Sequence, residues 1–177
     1  LMKRSMNYIN VLDPETKFIR GKNSDGTWRD KKDQAISIWA RGTERDRDTY
    51  YRNITYFVPH DVQGLANFMG GNKQLEEHLD YFFANEYYYV GDEFSMHSPY
   101  LYNYIGAAWK TQKLIRELID NNFTNEFGGL PGNEDCGQLS AWYIFGAMGF
   151  YPTCPSVPTY QIGSPSFDKV TMNLPNG

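Results

Sequence analysis

Apolar residues recur at helical spacing through the middle of the chain and approach strict alternation only near its end. Val62, Leu65, Ala66 and Met69 stand at i, i+3, i+4 and i+7, behind Asp61 and ahead of Gly70-Gly71. One apolar face, an acid placed to cap it and a glycine stop predict a helix over 62–69. Leu75, Leu79, Phe82 and Phe83 form a second stripe over 73–84, with Asn72 in position to cap it. Ser98-Pro99 joins a capping serine to a proline at the first helical position, so a helix is expected over 99–120, loosening at Gly106. Leu114, Ile115, Leu118 and Ile119 point inward from its second half. A fourth helix is expected over 138–149, where Leu139, Trp142, Tyr143, Ala147 and Phe150 share roughly one face.

The two ends read differently. Met6 to Leu12 looks like the end of a helix before an Asp13-Pro14 turn. Residues 13–56 carry little periodicity, and the charges from Arg29 to Asp33 read as solvated surface. After 155, Tyr160 and Ile162, then Phe167, Val170, Met172 and Leu174, nearly alternate among prolines and Gly163, which predicts two short strands. Strands are expected only there. The pattern by itself establishes a mostly helical chain with successive helices joined by loops.

Composition narrows the function. Hydrophobic residues make up 41% of the 177, enough for a globular core rather than disorder. A net charge of −4 argues against nucleic acid as partner, since phosphate binding needs a basic surface. No apolar run is long enough for a membrane-spanning helix. Cys136 and Cys154 are the only cysteines; they make no disulfide scaffold, and the sequence leaves their pairing open. No His/Cys zinc spacing occurs, and Gly70-Gly71 and Gly128-Gly129 lack the Lys-Ser/Thr of a phosphate loop.

The candidate chemistry gathers in one stretch, Gly128-Gly129-Leu130-Pro131-Gly132-Asn133-Glu134-Asp135-Cys136-Gly137-Gln138. Two adjacent carboxylates end a glycine-rich loop where a helix begins. Such acids can cap the helix and meet its dipole. Glycines on both sides also let backbone approach a bound molecule, in which case a carboxylate there can act as a base.

The stretch Gly132-Asn133-Glu134-Asp135-Cys136-Gly137-Gln138-Leu139-Ser140-Ala141-Trp142-Tyr143, with Gly149-Phe150-Tyr151-Pro152 and Ile162-Gly163-Ser164-Pro165, resembles glycoside hydrolase family 92. These are exo-acting, calcium-dependent α-mannosidases. Further blocks resemble the family in the same order: Ser24-Asp25-Gly26-Thr27-Trp28, Phe57-Val58-Pro59-His60-Asp61-Val62-Gln63-Gly64-Leu65, and Pro99-Tyr100-Leu101-Tyr102-Asn103-Tyr104. The resemblance implies part of an (α/α)6 toroid, with residues 1–155 in the C-terminal portion of the helical catalytic domain and 156–177 opening a β segment. It also implies an N-terminal β-sandwich domain outside this chain, a secreted, periplasmic or cell-surface setting, mannose-containing glycans as substrates and Ca2+ as cofactor. The isolated chain is then expected to have little activity.

In the family, hydrolysis inverts the anomeric centre: an acid protonates the leaving oxygen and a carboxylate opposite activates water. The resemblance puts the base at Asp135. Asn133 stands where a partner acid is common and keeps only the capacity to orient water. Counting back from the Pro59-His60-Asp61 block puts the general acid at Asp48, without the glycine and tryptophan of the family pattern. Glu93, in Gly91-Asp92-Glu93-Phe94-Ser95-Met96-His97, matches a loop that binds substrate near the calcium, although Asp92, Phe94 and Met96 depart from it. Glu93 is thus expected as a substrate and metal ligand, and His60, Asp61 and Glu134 as substrate-binding residues. The alternative is a catalytically inactive carbohydrate-binding or structural remnant of the same fold.

Overall fold

The computed structural model describes residues 2–29 and 51–175. The chain divides into two compact units, Leu1–Tyr89 and Val90–Gly177. The described residues are mainly α-helical, with two short strands.

The first unit opens with a helical turn, Met2–Ser5, and a 3-10 helix, Met6–Val11. The chain then doubles back, with bridges between Leu12 and Ile19 and between Lys22 and Trp28. Asp13 is buried in this fold-back, where Arg20 Nη1 donates to its carboxylate at 2.8 Å and the Glu15 N–H at 2.9 Å. Burial raises the Asp13 carboxyl, but the hydrogen bonds and charge supplied by Arg20 and the neighbouring donors outweigh it and hold the group below its ordinary range. Two helices follow, α1 (Val62–Met69) and α2 (Asn72–Ala84). The apolar stripes land as the spacing requires: Val62, Leu65, Ala66 and Met69 are buried on α1, and Leu75, Leu79 and Phe82 on α2. Tyr56 joins them, its ring 4.8 Å from that of Phe82. The N-terminal neighbour of α2 is Gly71, so Asn72 is its first helical residue and not its cap.

The second unit holds the longer helices, α3 (Ala108–Asn122) and α4 (Gln138–Met148). The single helix expected over 99–120 is three pieces: a 3-10 turn at Ser98–Tyr100, a short α-helix at Leu101–Tyr104, and α3. Gly106 at φ 84 separates the last two, since that backbone angle cannot continue a right-handed helix. Ser98 lies inside the first turn and provides no side-chain cap; its hydroxyl is buried without a partner among the described residues. Trp142, Tyr100, Met96, Leu101, Ile115 and Leu139 form the core. The Trp142 indole N–H donates to Met96 O at 2.8 Å, which fastens α4 to the 91–98 loop. Tyr143, expected on the inward face, is 38% exposed and packs instead on the Phe123 ring.

Strands form earlier than the pattern indicates. β1 (Phe150–Tyr151) directly follows α4 and pairs antiparallel with β2 (Gln161–Ile162), in the register Phe150 to Ile162 and Tyr151 to Gln161. The expectation of strands only beyond 155 is therefore corrected. Tyr151 stacks on Tyr100 at 5.0 Å, which ties the strand pair to the core. Among the described residues 166–175 no second strand forms, and Phe167, Val170, Met172 and Leu174 are exposed.

Candidate active site

Two loops of the second unit carry the candidate carboxylates, and glycine brings them together. A Cβ placed on Gly132 would lie 2.8 Å from both the Cα and the O of Gly91. No other residue fits there without displacing backbone. This contact sets the 128–137 loop against the 91–98 loop, and the Glu93 and Asp135 carboxyls interact across the join.

Glu93 opens a short 3-10 helix, Glu93–Ser95, held by the Ser95 N–H and hydroxyl donating to Asp92 O at 3.0 and 2.8 Å. It is half-buried, and its Oε1 is enclosed without a donor among the described residues. Burial pushes its carboxyl above the ordinary glutamate range; its own backbone N–H opposes this, and the Asp135 and Asp92 carboxylates reinforce it. Burial likewise raises Asp92.

Asp135 stands on an unusual turn. Asp135, Cys136 and Gly137 have successive φ values of 39, 59 and 87. Side chains rarely adopt such angles, and each non-glycine residue held there costs roughly 1–3 kcal/mol. Glu134 bridges the turn. Its carboxylate accepts the Ser140 hydroxyl at 2.7 Å and the Ser140 N–H at 3.2 Å, while its carbonyl accepts the Leu139 N–H at 3.4 Å. The Ser140 N–H belongs to the first turn of α4, so Glu134 caps this helix and Asp135 does not. Asn133 and Cys136 are exposed, and both cysteines are free thiols.

The other expected residues fall elsewhere. Asp48 lies outside the described residues. Asp61 and His60 belong to the first unit, and their local bonding is specific. Asp61 Oδ1 accepts the Gly64 N–H at 3.0 Å, capping α1, and Oδ2 accepts the Tyr8 hydroxyl at 2.7 Å. Burial, and then the bond and charge of Asp61, push the Tyr8 phenol well above its ordinary range. His60 is exposed, and its Nε2 lies 2.9 Å from Ser5 O.

Three contributors escaped sequence reasoning. Gly91 is one half of the glycine contact. Ser140 receives the Glu134 carboxylate. Gln138 donates from Nε2 to the Tyr151 hydroxyl at 3.1 Å, fixing the first residue of α4 to β1. A glycine just ahead of each acid pair, Gly91 before Asp92-Glu93 and Gly132 two residues before Glu134, was the available signal for Gly91. No local spacing rule marks Ser140, because its contact crosses a left-handed turn.

The arrangement sets a half-buried carboxyl against an exposed one, a pair able to share or pass a proton. The sequence matches the glycosyl hydrolase family 92 catalytic domain over residues 1–177. A curated relative, described as an uncharacterized secreted glycosidase of Arthroderma benhamiae, is 30% identical over 98% of this chain and 25% of its own length. Among solved structures, the inverting family GH92 mannosidase BT2199 of Bacteroides thetaiotaomicron superposes with a TM-score of 0.82 at 36% identity, over 99% of this chain and 26% of that one. The family GH92 α-mannosidase BT3965 of the same organism gives 0.77 at 39% identity, over 93% of this chain and 22% of that one.

The chain belongs to glycosyl hydrolase family 92. It spans about a quarter of the length of these relatives. Its mainly helical fold with short strands is that of part of an (α/α)6 toroid.

Proposed function

We propose that this chain forms part of an exo-acting α-mannosidase in which Asp135 is the general base of an inverting hydrolysis. The carrying observation is the division of labour between the two adjacent acids. Glu134 caps α4, so the Asp135 carboxylate is presented to Glu93 on a turn that the chain holds under strain. Strain of that kind is characteristic of functional positions. The BT3965 mannosidase has also been solved with mannoimidazole bound, which supports a mannose-type substrate for this chain.

In this reading the glycosidic oxygen leaves with a proton from the general acid, assigned to Asp48. Asp135 takes a proton from water, the water oxygen bonds to the anomeric carbon on the opposite face, and the bond to the leaving oxygen breaks. An inverting mechanism requires roughly 6.5–9.5 Å between its acid and its base to admit that water. Asn133 orients the water and Glu93 contacts the substrate; the resemblance also names His60, Asp61 and Glu134 as substrate contacts, but Asp61 and Glu134 already have both carboxylate oxygens engaged within the chain.

Calcium fits the donor set in kind. Glu93 offers a buried oxygen that lacks a donor among the described residues, and its partner is also a carboxyl. Among the described residues no group of three or more His, Cys, Asp or Glu side chains converges, so carbonyls, water, substrate hydroxyls or other parts of the enzyme supply the remaining oxygens. Glu93 would help hold the ion, which would supply positive charge to polarise sugar hydroxyls and offset the facing carboxyls. The same reading places the enzyme outside the cytoplasm, as the description of the fungal relative suggests.

The test is Asp135→Asn in the longer enzyme, assayed on an α-mannoside. Loss of a general base lowers kcat by about 10²–10⁴-fold, with KM little changed. Turnover within a few-fold of the parent overturns the assignment. Mannose release abolished by exhaustive chelation and restored by Ca2+ alone tests the metal separately.

A further inference from the structure

We propose that Glu134 is the positioning residue of the site, acting on the reaction through the backbone of the turn that presents Asp135 and not through the sugar. The inference rests on Asp135 as base and assigns its neighbour a role of a different kind. Of the three consecutive left-handed residues, Asp135 to Gly137, only Gly137 joins the helical ladder, its carbonyl accepting the Ala141 N–H at 2.9 Å. What closes the turn comes from either side of it. The Gln138 N–H donates to Asp135 O at 3.2 Å, and the Leu139 N–H to Glu134 O at 3.4 Å. The first is at the long end of the N–H···O range and the second beyond it. The short contact is from the side chain: the Ser140 hydroxyl donates to Glu134 Oε2 at 2.7 Å, and the Ser140 N–H to Oε1 at 3.2 Å.

Glu134 therefore grips α4 with both oxygens, across the residues whose backbone aims Asp135. An ionised acceptor makes that bond stronger than a neutral one. The helix behind it is itself immobilised, since Trp142 is bonded to Met96 and Gln138 to Tyr151. The chain of support runs from the core through α4 to Ser140, to Glu134, and so to Asp135. A carboxylate with both oxygens bound to its own chain is poorly placed to receive a sugar hydroxyl. That separates this role from the substrate contact suggested by sequence resemblance.

The experiment is a pair of kinetic cycles in the longer enzyme on an α-mannoside. Glu134→Ala is expected to lower kcat by about 10²-fold, the scale for a misplaced catalytic group, with KM little changed. Glu134→Gln retains an oxygen acceptor for Ser140 and should recover most of that loss. In an Asp135→Asn background, Glu134→Ala should cost nothing further, because the group it positions is already disabled. A raised KM with kcat retained makes Glu134 a sugar ligand and overturns the proposal. Equal losses in both backgrounds mean general damage to the fold and overturn it as well.

Amide hydrogen exchange at Leu139 and Ser140 supplies a readout that does not depend on catalysis. It should accelerate by about tenfold or more in Glu134→Ala; unchanged exchange refutes the grip on α4. If Asp135→Asn proves fully active, the base assignment fails while the exchange result still decides the positioning claim. Should Glu134→Ala not fold, Glu134→Gln and Ser140→Ala carry the same comparison, with a smaller expected loss in each.

Discussion

Two acidic turns, each leading into a helix, have been put to opposite uses. Ahead of α1, Asp61 sits at φ −149 and has both oxygens engaged, one by the Gly64 N–H and one by the Tyr8 hydroxyl. Ahead of α4, the same work passes to Glu134, and Asp135 is left at φ 39 facing another carboxyl. A helix start offers N–H donors that attract the nearest carboxylate. An acid beside it becomes available for chemistry only when a second group satisfies those donors. Adjacent acids solve that problem, one holding the helix and the other held by it. The first turn has a single acid, and that acid is structural in its bonding.

The largest stability effect should follow from attacking the turn whose acid is fully engaged. Asp61→Ala removes the cap of α1 and strips the Tyr8 hydroxyl of its acceptor. A lost cap and an orphaned polar group together cost about 2–3 kcal/mol. A denaturant titration should show the midpoint falling at constant slope. A loss under about 0.5 kcal/mol would remove the contrast between the turns.

Gly132→Ala strikes the contact that lets the second turn reach Glu93. The added methyl meets the Gly91 backbone at 2.8 Å, and backbone cannot swing aside as a flexible side chain can. Overpacking of this kind costs about 2 kcal/mol. Mannoside turnover in the longer enzyme should fall with it. Unaltered stability and activity would show that the loops do not depend on this approach.

Asp13 extends the comparison to an acid with no proposed chemistry. It is buried against Arg20 at 2.8 Å and its carboxyl is depressed. Asp13→Asn should cost about 1.5–2 kcal/mol at neutral pH, the lower part of the range for hydrogen bonds to a charged group, since the amide keeps one acceptor oxygen. The sign follows from linkage. The folded state binds the proton less readily than the unfolded one, so the stabilisation is fully present above the unfolded value of about 3.9 and disappears as pH falls through the lower folded value. Melts of parent and variant should therefore converge in acid. A gap that persists unchanged to low pH would mean that packing, not charge, holds Asp13.

Much of this was legible from sequence where a single apolar face met clear stop signals. α1 runs over the expected 62–69 because Asp61 and Gly70 bound four inward residues at helical spacing. The 99–120 segment misled because its apolar residues keep helical spacing across a point where Gly106 reverses φ. Phe150 was read as the last inward residue of α4, but Gly149 turns the chain and Phe150 opens β1. Alternation after 166 lacks a partner strand among the described residues, so pattern there did not become structure. At the site, the loop and its acids were visible, yet which acid caps and which is presented was not. That choice depends on Ser140 lying opposite Glu134 after three left-handed residues, a relation of geometry and not of spacing.

The smallest effect is also the most diagnostic, because it carries the opposite sign. Asp135→Gly should stabilise the chain. Glycine takes φ 39 without penalty, so strain of roughly 1–3 kcal/mol is relieved. Against this, glycine adds freedom to the unfolded chain, a loss of about 0.4–1 kcal/mol. Removing the carboxylate also relieves Glu93, whose carboxyl Asp135 helps to raise. The net gain is about 1 kcal/mol, or roughly 2–4 °C in Tm for a chain of this size. Catalysis in the longer enzyme should be lost in the same variant. Asp61→Gly gives the control: at φ −149 it relieves no strain and still takes the acceptor from Tyr8, so it should only destabilise. If both glycine variants lower Tm alike, Asp135 is a structural acid as Asp61 is. A rise at 135 beside a fall at 61 identifies the residue that the fold strains to keep, as expected of a position retained for chemistry rather than stability.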